Sequence, residues 1–322
     1  MIKIRFGSTL VVGLVAASLV GAQDNEERIS QSFDVGEHGE FSLSNISGDI
    51  RVEATSGSRI VLEAVKRLHG RADSGLLNQV QVDVSHIGNR VRIETRYPRD
   101  RDGERNRRDG RRHDHGHGGV SVDYRVQVPK GTKVEVGSVS GDVQVDGVHG
   151  ETGVNSVSGD VRVSDAANLV RAKSVSGDVV VERARSENNL DIASVSGEVT
   201  VIDVRAEGLD VGSVSGDVRM DDMWCEEGKF DSVSGDLRYS GSIATAGRYE
   251  FKSHSGDVVI TIGDDVGFEL EARTFSGDIE SEFEMRVSSE VRRRRNMSAV
   301  VGDGSAIIEA TTFSGDVSLR RR

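Results

Sequence analysis

One five-residue phrase recurs through the second half of the sequence and constrains the fold more than any other feature. It reads Ser-Val-Ser-Gly-Asp in its commonest form, and successive copies begin 18 to 21 residues apart except before the last copy, where the interval is 38. A fixed period near 20 residues is typical of a solenoid in which each repeat is one coil. We interpret the long interval as two periods with a degraded copy near Val301-Gly302-Asp303. The acidic residues of the phrase are at 142, 160, 178, 198, 217, 236, 257, 278 and 316.

Apolar and polar residues alternate after each acidic residue, as in Val143-Gln144-Val145 and Val199-Thr200-Val201. This period of two predicts a half-buried β-strand. A second alternating segment, such as Val134 to Val136, precedes the phrase. The sequence therefore predicts an all-β fold: a β-solenoid, or single-stranded β-helix, of about ten coils with a ~19-residue period over residues 132–322.

The valine three residues before each acidic residue has two alternative placements. A bend at Gly137-Ser138 turns Val139 into the core, and this is the placement we expect. Continuous alternation from Val136 instead turns the valines outward, where they form an exposed apolar stripe that is typical of a binding or assembly surface. The residues concerned are Val139, Val157, Val175, Val195, Val214 and Val233.

The acidic residues of the phrase need a structural role, because a column of carboxylates is self-repelling. We expect Asp or Ser side chains of the turn to accept hydrogen bonds from turn amides. A calcium ladder is the alternative, but calcium takes about six to eight oxygen ligands and each coil offers one carboxylate.

Residues 23–131 are less regular and predict an N-terminal β domain that caps the first coil. It contains one early copy of the phrase, Asn45 to Asp49, and a basic, His-rich segment at 99–119 that predicts a disordered loop. Three histidines there, His113, His115 and His117, are weak candidates for a transition-metal site, the simpler interpretation being a solvated loop. At the other end, Arg320 to Arg322 are expected to protect the last coil from end-to-end pairing.

The first 22 residues predict a secretory signal peptide. Lys3 and Arg5 precede an apolar run that ends at a small-residue cleavage signature, Val20-Gly21-Ala22. We therefore expect an exported protein, in the periplasm or at the cell surface, with no transmembrane segment in the mature chain. The single cysteine, Cys225, excludes a disulfide scaffold and is expected to be buried rather than reactive. A net charge of −12 argues against nucleic acid as a partner.

The order of these segments resembles the bacterial DUF4097 family, described as exported candidate adhesins built from β-strand repeats. The resemblance rests on the segment around Asn45-Ile46-Ser47-Gly48-Asp49-Ile50, the run from Ser121 to Gly131, and the serial SVSGDV phrases. It covers nearly the whole mature chain and departs from the family in the His-rich insertion. It implies an exported β-solenoid with an adhesive role and supplies no catalytic residues.

Three classes of function remain. We favour a non-enzymatic scaffold that binds an envelope or extracellular protein or polysaccharide through its repetitive face, with no cofactor. A periplasmic envelope-signalling accessory that binds a membrane partner is the alternative. A β-helical polysaccharide-active enzyme is disfavoured, because it needs a non-repeated cluster of acids with Arg or Lys, whereas the acids here are spread one per coil.

Overall fold

The computed structural model describes residues 4–6, 25–70, 75–98, 119–287 and 295–322, with the backbone alone for 4–6. The regular secondary structure in those ranges is almost entirely β-strand, which confirms the predicted all-β class. The elements, in chain order, are β1 (Ile4–Phe6), β2 (Glu26–Asp34), β3 (Glu40–Ser47), β4 (Ile50–Thr55), β5 (Arg59–Leu68), α1 (Gly75–Gln79), β6 (Gln81–Ile87), β7 (Arg90–Arg96), β8 (Val120–Pro129), β9 (Lys133–Ser140), β10 (Val143–Asp146), β11 (Thr152–Ser156), β12 (Val161–Ser164), β13 (Leu169–Ser174), β14 (Val179–Ser194), β15 (Val199–Ser213), β16 (Val218–Ser232), β17 (Leu237–Gly241), β18 (Arg248–Ser255), β19 (Val258–Ile262), β20 (Phe268–Ser276), β21 (Ile279–Ser281), β22 (Arg286–Val287), β23 (Asn296–Val301), β24 (Ala306–Ser314) and β25 (Val317–Arg321).

Two parallel ladders run through the structure, one on each side of the repeated turn. Strands that lead into the turn form the first ladder, in which Val136 lies beside Val154 and Val154 beside Ala172. Its spatial order is β3, β9, β11, β13, β14, β15, β16, β18, β24 and β20. Strands that follow the turn form the second ladder, in the order β8, β4, β10, β12, β14, β15, β16, β17, β19, β25 and β21. We call one strand from each ladder, with the turn that joins them, a rung.

The core lies between the two ladders. The alternating valines after each turn point inward as the period-two pattern predicts, and Val199 and Val201 are fully buried. Four aromatic rings lie inside the later rungs, with the centroids of Phe230 and Phe251 4.8 Å apart and Tyr239 and Tyr249 beside them. The absence of a side chain at Gly228 leaves room for these rings, because a Cβ there would lie 2.6 Å from the ring of Phe230.

Antiparallel strands flank the ladders at both ends. At the N-terminal end, β5 pairs with β8 and β2 with β5, while β7 extends the first ladder beyond β3. At the other end, β23 pairs with β20, and β22 with β23. The early copy of the phrase is itself a rung, because the Gly48 amide donates to the carbonyl of Ser140 at 2.9 Å. The division into domains at residues 131 and 132 stays a prediction.

The spatial order of the last rungs differs from the order expected from the sequence. The expected degraded copy near Val301-Gly302-Asp303 is wrong: β23 runs antiparallel to β20, and a turn with positive φ at Gly302 and Gly304 reverses the chain after it. The chain then returns as β24 and β25, which insert between β18/β19 and β20/β21. The 38-residue interval is therefore an antiparallel excursion followed by an inserted rung.

This insertion also changes the position of the terminal arginines. We expected Arg320 to Arg322 to protect the end of the stack, but β25 is enclosed by β19 and β21, so that expectation is wrong. The guanidinium of Arg321 instead lies 5.3 Å from the ring centroid of Phe283.

The glycine of each turn is required by close contact between rungs. A Cβ at Gly177 would lie 2.2 Å from the carbonyl oxygen of Gly159, a distance that real Cβ atoms do not reach. Gly177 has no positive φ, so its backbone conformation alone would permit another residue. The contact is thus a constraint on spacing: only a residue without a side chain lets neighbouring turns approach this closely.

We predict that Gly177→Ala lowers the free energy of unfolding by roughly 2–4 kcal/mol, because the added methyl pushes two rungs apart. Urea unfolding followed by circular dichroism measures this. The matched control is Gly137→Ala, since a Cβ there meets nothing within 4 Å. Equal stability of the two variants would contradict the steric explanation.

Candidate functional site

A column of buried hydroxyl side chains lies behind the turns, and several of these hydroxyls bond to the neighbouring turn. Ser174 donates to the carbonyl of Gly159 at 2.9 Å and accepts from the amide of Gly177 at 3.0 Å. Ser194 does the same with Gly177 and Gly197, at 2.8 and 3.0 Å. Because this serine points inward, strand alternation directs the next residue outward.

The motif valines consequently lie on the surface, and the inward placement that we expected is wrong. These positions form one exposed column, which we call the stripe; in spatial order it comprises Ile46, Val139, Val157, Val175, Val195, Val214, Val233, His254, Phe313 and Phe275. The aliphatic members are 43–46% exposed. Main-chain hydrogen bonds run along the column, for example from the Ser176 amide to the Val157 carbonyl at 2.9 Å, which hold the side chains at the strand spacing.

Rings replace the aliphatic side chains at one end of the stripe. The rings of Phe275 and Phe313 are parallel to within 4°, with centroids 4.7 Å apart, and His254 stacks on the other face of Phe313 at 5.1 Å. Phe275 is 64% exposed and Phe313 49%. An open groove of about 570 Å³ adjoins this ring stack, and its polar lining, besides His254, is Lys252, Ser253, Arg273, Thr274, Arg295, Asn296, Thr311 and Thr312.

A ladder of carboxylates flanks the stripe on its turn side. The Oδ1 atom of Asp160 accepts from the amide of Asp178 at 2.9 Å, and Asp178 accepts from the amide of Glu198 at 2.8 Å. Equivalent bonds begin at Asp123 and continue to Asp278, so the expectation that turn carboxylates accept amide hydrogen bonds is confirmed. The amide dipoles offset the repulsion that a bare column of carboxylates would suffer.

Glu198 interrupts this ladder. Among the bonds found in the described ranges, none joins its carboxylate to the amide of Asp217, although the main-chain bond from Val199 to Asp217 is present at 3.0 Å. The longer side chain reaches the hydroxyl of Thr200 instead, at 3.4 Å. The Glu198 side chain is one methylene longer than aspartate and does not bond to the amide of the next turn, although the main-chain hydrogen bond at this step is kept.

The strand side of the stripe carries charges of both signs. Lys173 pairs with Asp191, Lys252 with Glu250, and Arg273 with Glu271. On the same face, desolvation by burial raises the pKa of Asp210, while the bond to Asp231 raises the pKa of Lys229. The two flanks of the stripe thus differ: the carboxylate ladder borders the turn side, where Arg238 pairs with Asp217 and Asp236, and ion pairs of both signs border the strand side.

A second concavity of about 580 Å³ lies where the carboxylate ladder begins. It is also lined by both signs of charge, and Arg67 pairs with Asp123 within it. Its aspartates already accept ladder hydrogen bonds, which gives them a structural role. Its charged lining residues are Asp49, Asp123, Asp142, Asp160, Glu63, Arg28, Arg51, Arg67, Arg125 and Arg162.

The other sequence-predicted candidates do not join this surface. His113, His115 and His117 lie outside the described residues, and within those residues no group of three His, Cys, Asp or Glu side chains is placed to hold a metal ion. Cys225 is buried as expected, and burial raises the pKa of its thiol to about 12. None of the helical residues in the described ranges forms a segment with the length and apolar character needed to cross a membrane.

Comparisons with known proteins match the chain to one family model and to several solved structures. A family model described as Toastrack DUF4097 matches residues 29–203 and 154–320. A candidate lipid-binding protein of Parabacteroides distasonis is 13% identical with a TM-score of 0.48, and the match covers 92% of this chain and 97% of that one. A candidate adhesin of the same organism is 12% identical, with a TM-score of 0.45 and coverage of 91% and 96%. A candidate adhesin of Bacteroides fragilis is 12% identical, with a TM-score of 0.42 and coverage of 94% and 100%. No protein with a curated description matches the chain.

We predict that Glu198→Asp raises the free energy of unfolding by about 0.5–1.5 kcal/mol, because it supplies the missing acceptor for the Asp217 amide. The reciprocal control, Asp178→Glu, should lower stability by a similar amount, since it removes the bond to the amide of Glu198. Thermal unfolding of both variants measures the effect. A loss of stability in Glu198→Asp would show that the carboxylate ladder contributes nothing at this step.

Proposed function

Because the chain belongs to the Toastrack DUF4097 family, we propose that it is an exported, non-enzymatic β-solenoid scaffold that binds an envelope or extracellular partner through the stripe. The observation that carries this proposal is the exposure of ten in-register positions of which nine are large apolar residues.

The solenoid part of the proposal is supported by the two parallel ladders. Ten turns stack in register, and each rung contributes one strand to each ladder, with its branched aliphatic side chains between them. At the usual strand spacing of about 4.8 Å, ten rungs make a column about 45 Å long. A rigid column of that length presents its surface side chains at fixed intervals, which suits recognition more than chemistry.

The binding part is supported by the cost of leaving the stripe exposed. We estimate its exposed area at roughly 700 Å², from about 70 Å² for each aliphatic side chain and about 100 Å² for each phenylalanine. The largest apolar patch of a typical monomer is about 300–600 Å² and is often functional. A continuous stripe at or above that limit is therefore typical of a contact surface.

The arrangement of acids supports a scaffold rather than an enzyme. A hydrolase or lyase needs a local, non-repeated set of acid, base and cation in a cleft. The ladder acids recur once per rung, and the Oδ1 atoms of Asp142, Asp160 and Asp178 are each engaged by the next amide. Export is supported by the sequence of Met1 to Ala22.

We predict that Phe275→Ser/Phe313→Ser loses partner capture, because it removes the two most exposed rings of the stripe without touching the core. The purified protein is immobilised and exposed to envelope extracts, and bound proteins and saccharides are identified by mass spectrometry. The control Val180→Ser/Thr200→Ser changes outward positions of the second ladder and should capture as the wild type does.

The identity of the captured partner separates the two functional classes. Recovery of a polysaccharide or a surface protein supports adhesion, whereas recovery of one membrane protein supports the envelope-signalling alternative. Capture that survives in the ring variant, or that fails in the wild type, would contradict binding of an envelope or extracellular partner through the stripe. Cell fractionation with surface protease accessibility then decides between periplasm and cell surface.

A further inference from the structure

We infer that the partner of the stripe is the stripe of a second copy of this chain, packed face to face with the two stacking axes parallel. The inference rests on the proposed function, because it names the occupant of the same surface. Three properties of the stripe lead to it: its area, its repeat distance and the charges on its two flanks.

The area is sufficient for a stable dimer. If the stripe exposes roughly 700 Å² per copy, two copies bury about 1,400 Å² between them, within the about 1,200–2,000 Å² of standard specific interfaces. The stripe is also continuous: the main-chain bonds from Ser158 to Val139 and from Ser215 to Val195 keep neighbouring side chains one strand spacing apart. Self-association through one such patch produces an isologous, closed dimer.

The repeat distance favours a second ladder over other partners. Side chains on two facing ladders can meet at every rung along their whole length when both repeat at about 4.8 Å, as in steric zippers. An α-helix repeats at about 5.4 Å per turn, so its side chains fall half a rung out of register within about four rungs. A second copy of this chain has a stripe with the same rung spacing, and it therefore stays in register along the whole column.

The chemistry of the stripe disfavours the other occupants. A saccharide would leave hydroxyl groups against valine methyls, where they lose hydrogen bonds to water. A membrane surface with anionic lipids would meet the carboxylate ladder, whose acids run beside the stripe from Asp49 to Asp278. An apolar, non-repeating peptide could cover only part of the column.

The flanks of the stripe decide the orientation of the two copies. A two-fold axis perpendicular to the stacking direction would place one carboxylate ladder against the other. A two-fold axis along the stacking direction places the ladders at opposite edges, each against the mixed-charge flank, where Lys173, Lys252 and Arg273 alternate with the acids they pair with, Asp191, Glu250 and Glu271. Because like charges across an interface cost several kcal/mol, the parallel arrangement is the one that we expect.

We predict that the wild-type protein is a dimer by sedimentation equilibrium and that Val175→Lys/Val195→Lys raises its dissociation constant at least ~100-fold, as loss of a central contact does. Both valines are already exposed, so the variant should fold normally. The control is Val180→Lys/Thr200→Lys, which places the same charges on the same rungs but on the second ladder, and it should remain a dimer. A monomeric wild type, or a dimer that persists in the stripe variant, would overturn the inference.

Cysteine cross-linking tests the orientation. With parallel axes each rung faces the same rung, so Val139→Cys, near one end of the stripe, should form a disulfide with itself across the dimer. In the perpendicular arrangement Val139 faces the ring stack, and cross-linking would occur only for a central position such as Val195→Cys. The wild type is the negative control, because Cys225 is fully buried.

The two proposals fail separately. A monomeric wild type that still captures a saccharide or another protein through the ring stack would refute the dimer and leave the binding scaffold intact. A stripe-dependent dimer would support self-association, whether or not envelope extracts yield any other partner.

Discussion

The close approach of successive turn glycines is the contact on which the rest of the structure depends. The carbonyl of one turn occupies the position that a Cβ of the next would need, at 2.0 Å for Gly159 and 2.1 Å for Gly197. At the turns, this absence of side chains lets neighbouring main chains keep the spacing of the hydrogen-bonded strands on either side. Once the spacing is set, hydroxyls, carboxylates and strands all repeat in one register. A local contact thereby organises rungs that are distant in sequence, as with Asp49 and Asp142, 93 residues apart.

The stripe follows from the same turn. The inward serine takes part in turn hydrogen bonds, as Ser174 does with Gly159 and Gly177, so the residue after it must face solvent. Nothing in those bonds requires that residue to be apolar. Valine favours the strand conformation and contacts its neighbours along the column. Threonine favours the same conformation and would expose less apolar surface. The contact with a partner that we propose accounts for this apolar character.

The sequence predicts the core well and the surface less well. Alternation correctly predicts that Val199 and Val201 are buried. Side chains of a strand alternate between its two faces, so once the apolar face is assigned to the core, every second residue must point inward. Alternation does not decide the side of Val195, because a bend near that residue could turn its side chain either way; in the structure β14 ends at Ser194 and the bend spans Val195-Ser196-Gly197, with the Val195 side chain exposed. The stacking of the two rings cannot be predicted from a local stretch of sequence either, because Phe275 and Phe313 are one rung apart in space and 38 residues apart in sequence.

The inserted last rung shows what repetition permits. Every rung presents nearly the same pattern of amides, carbonyls and valines at its edge, so the edge beside β18 accepts β24 as readily as it would accept β20. Sequence order then no longer dictates spatial order, and the antiparallel strand β23 fills the position that β24 leaves beyond β20. The same equivalence acts on the outer face. In the dimer that we propose, the shared rung spacing of two identical stripes plays the same part, because it lets each rung of one copy meet the equivalent rung of the other.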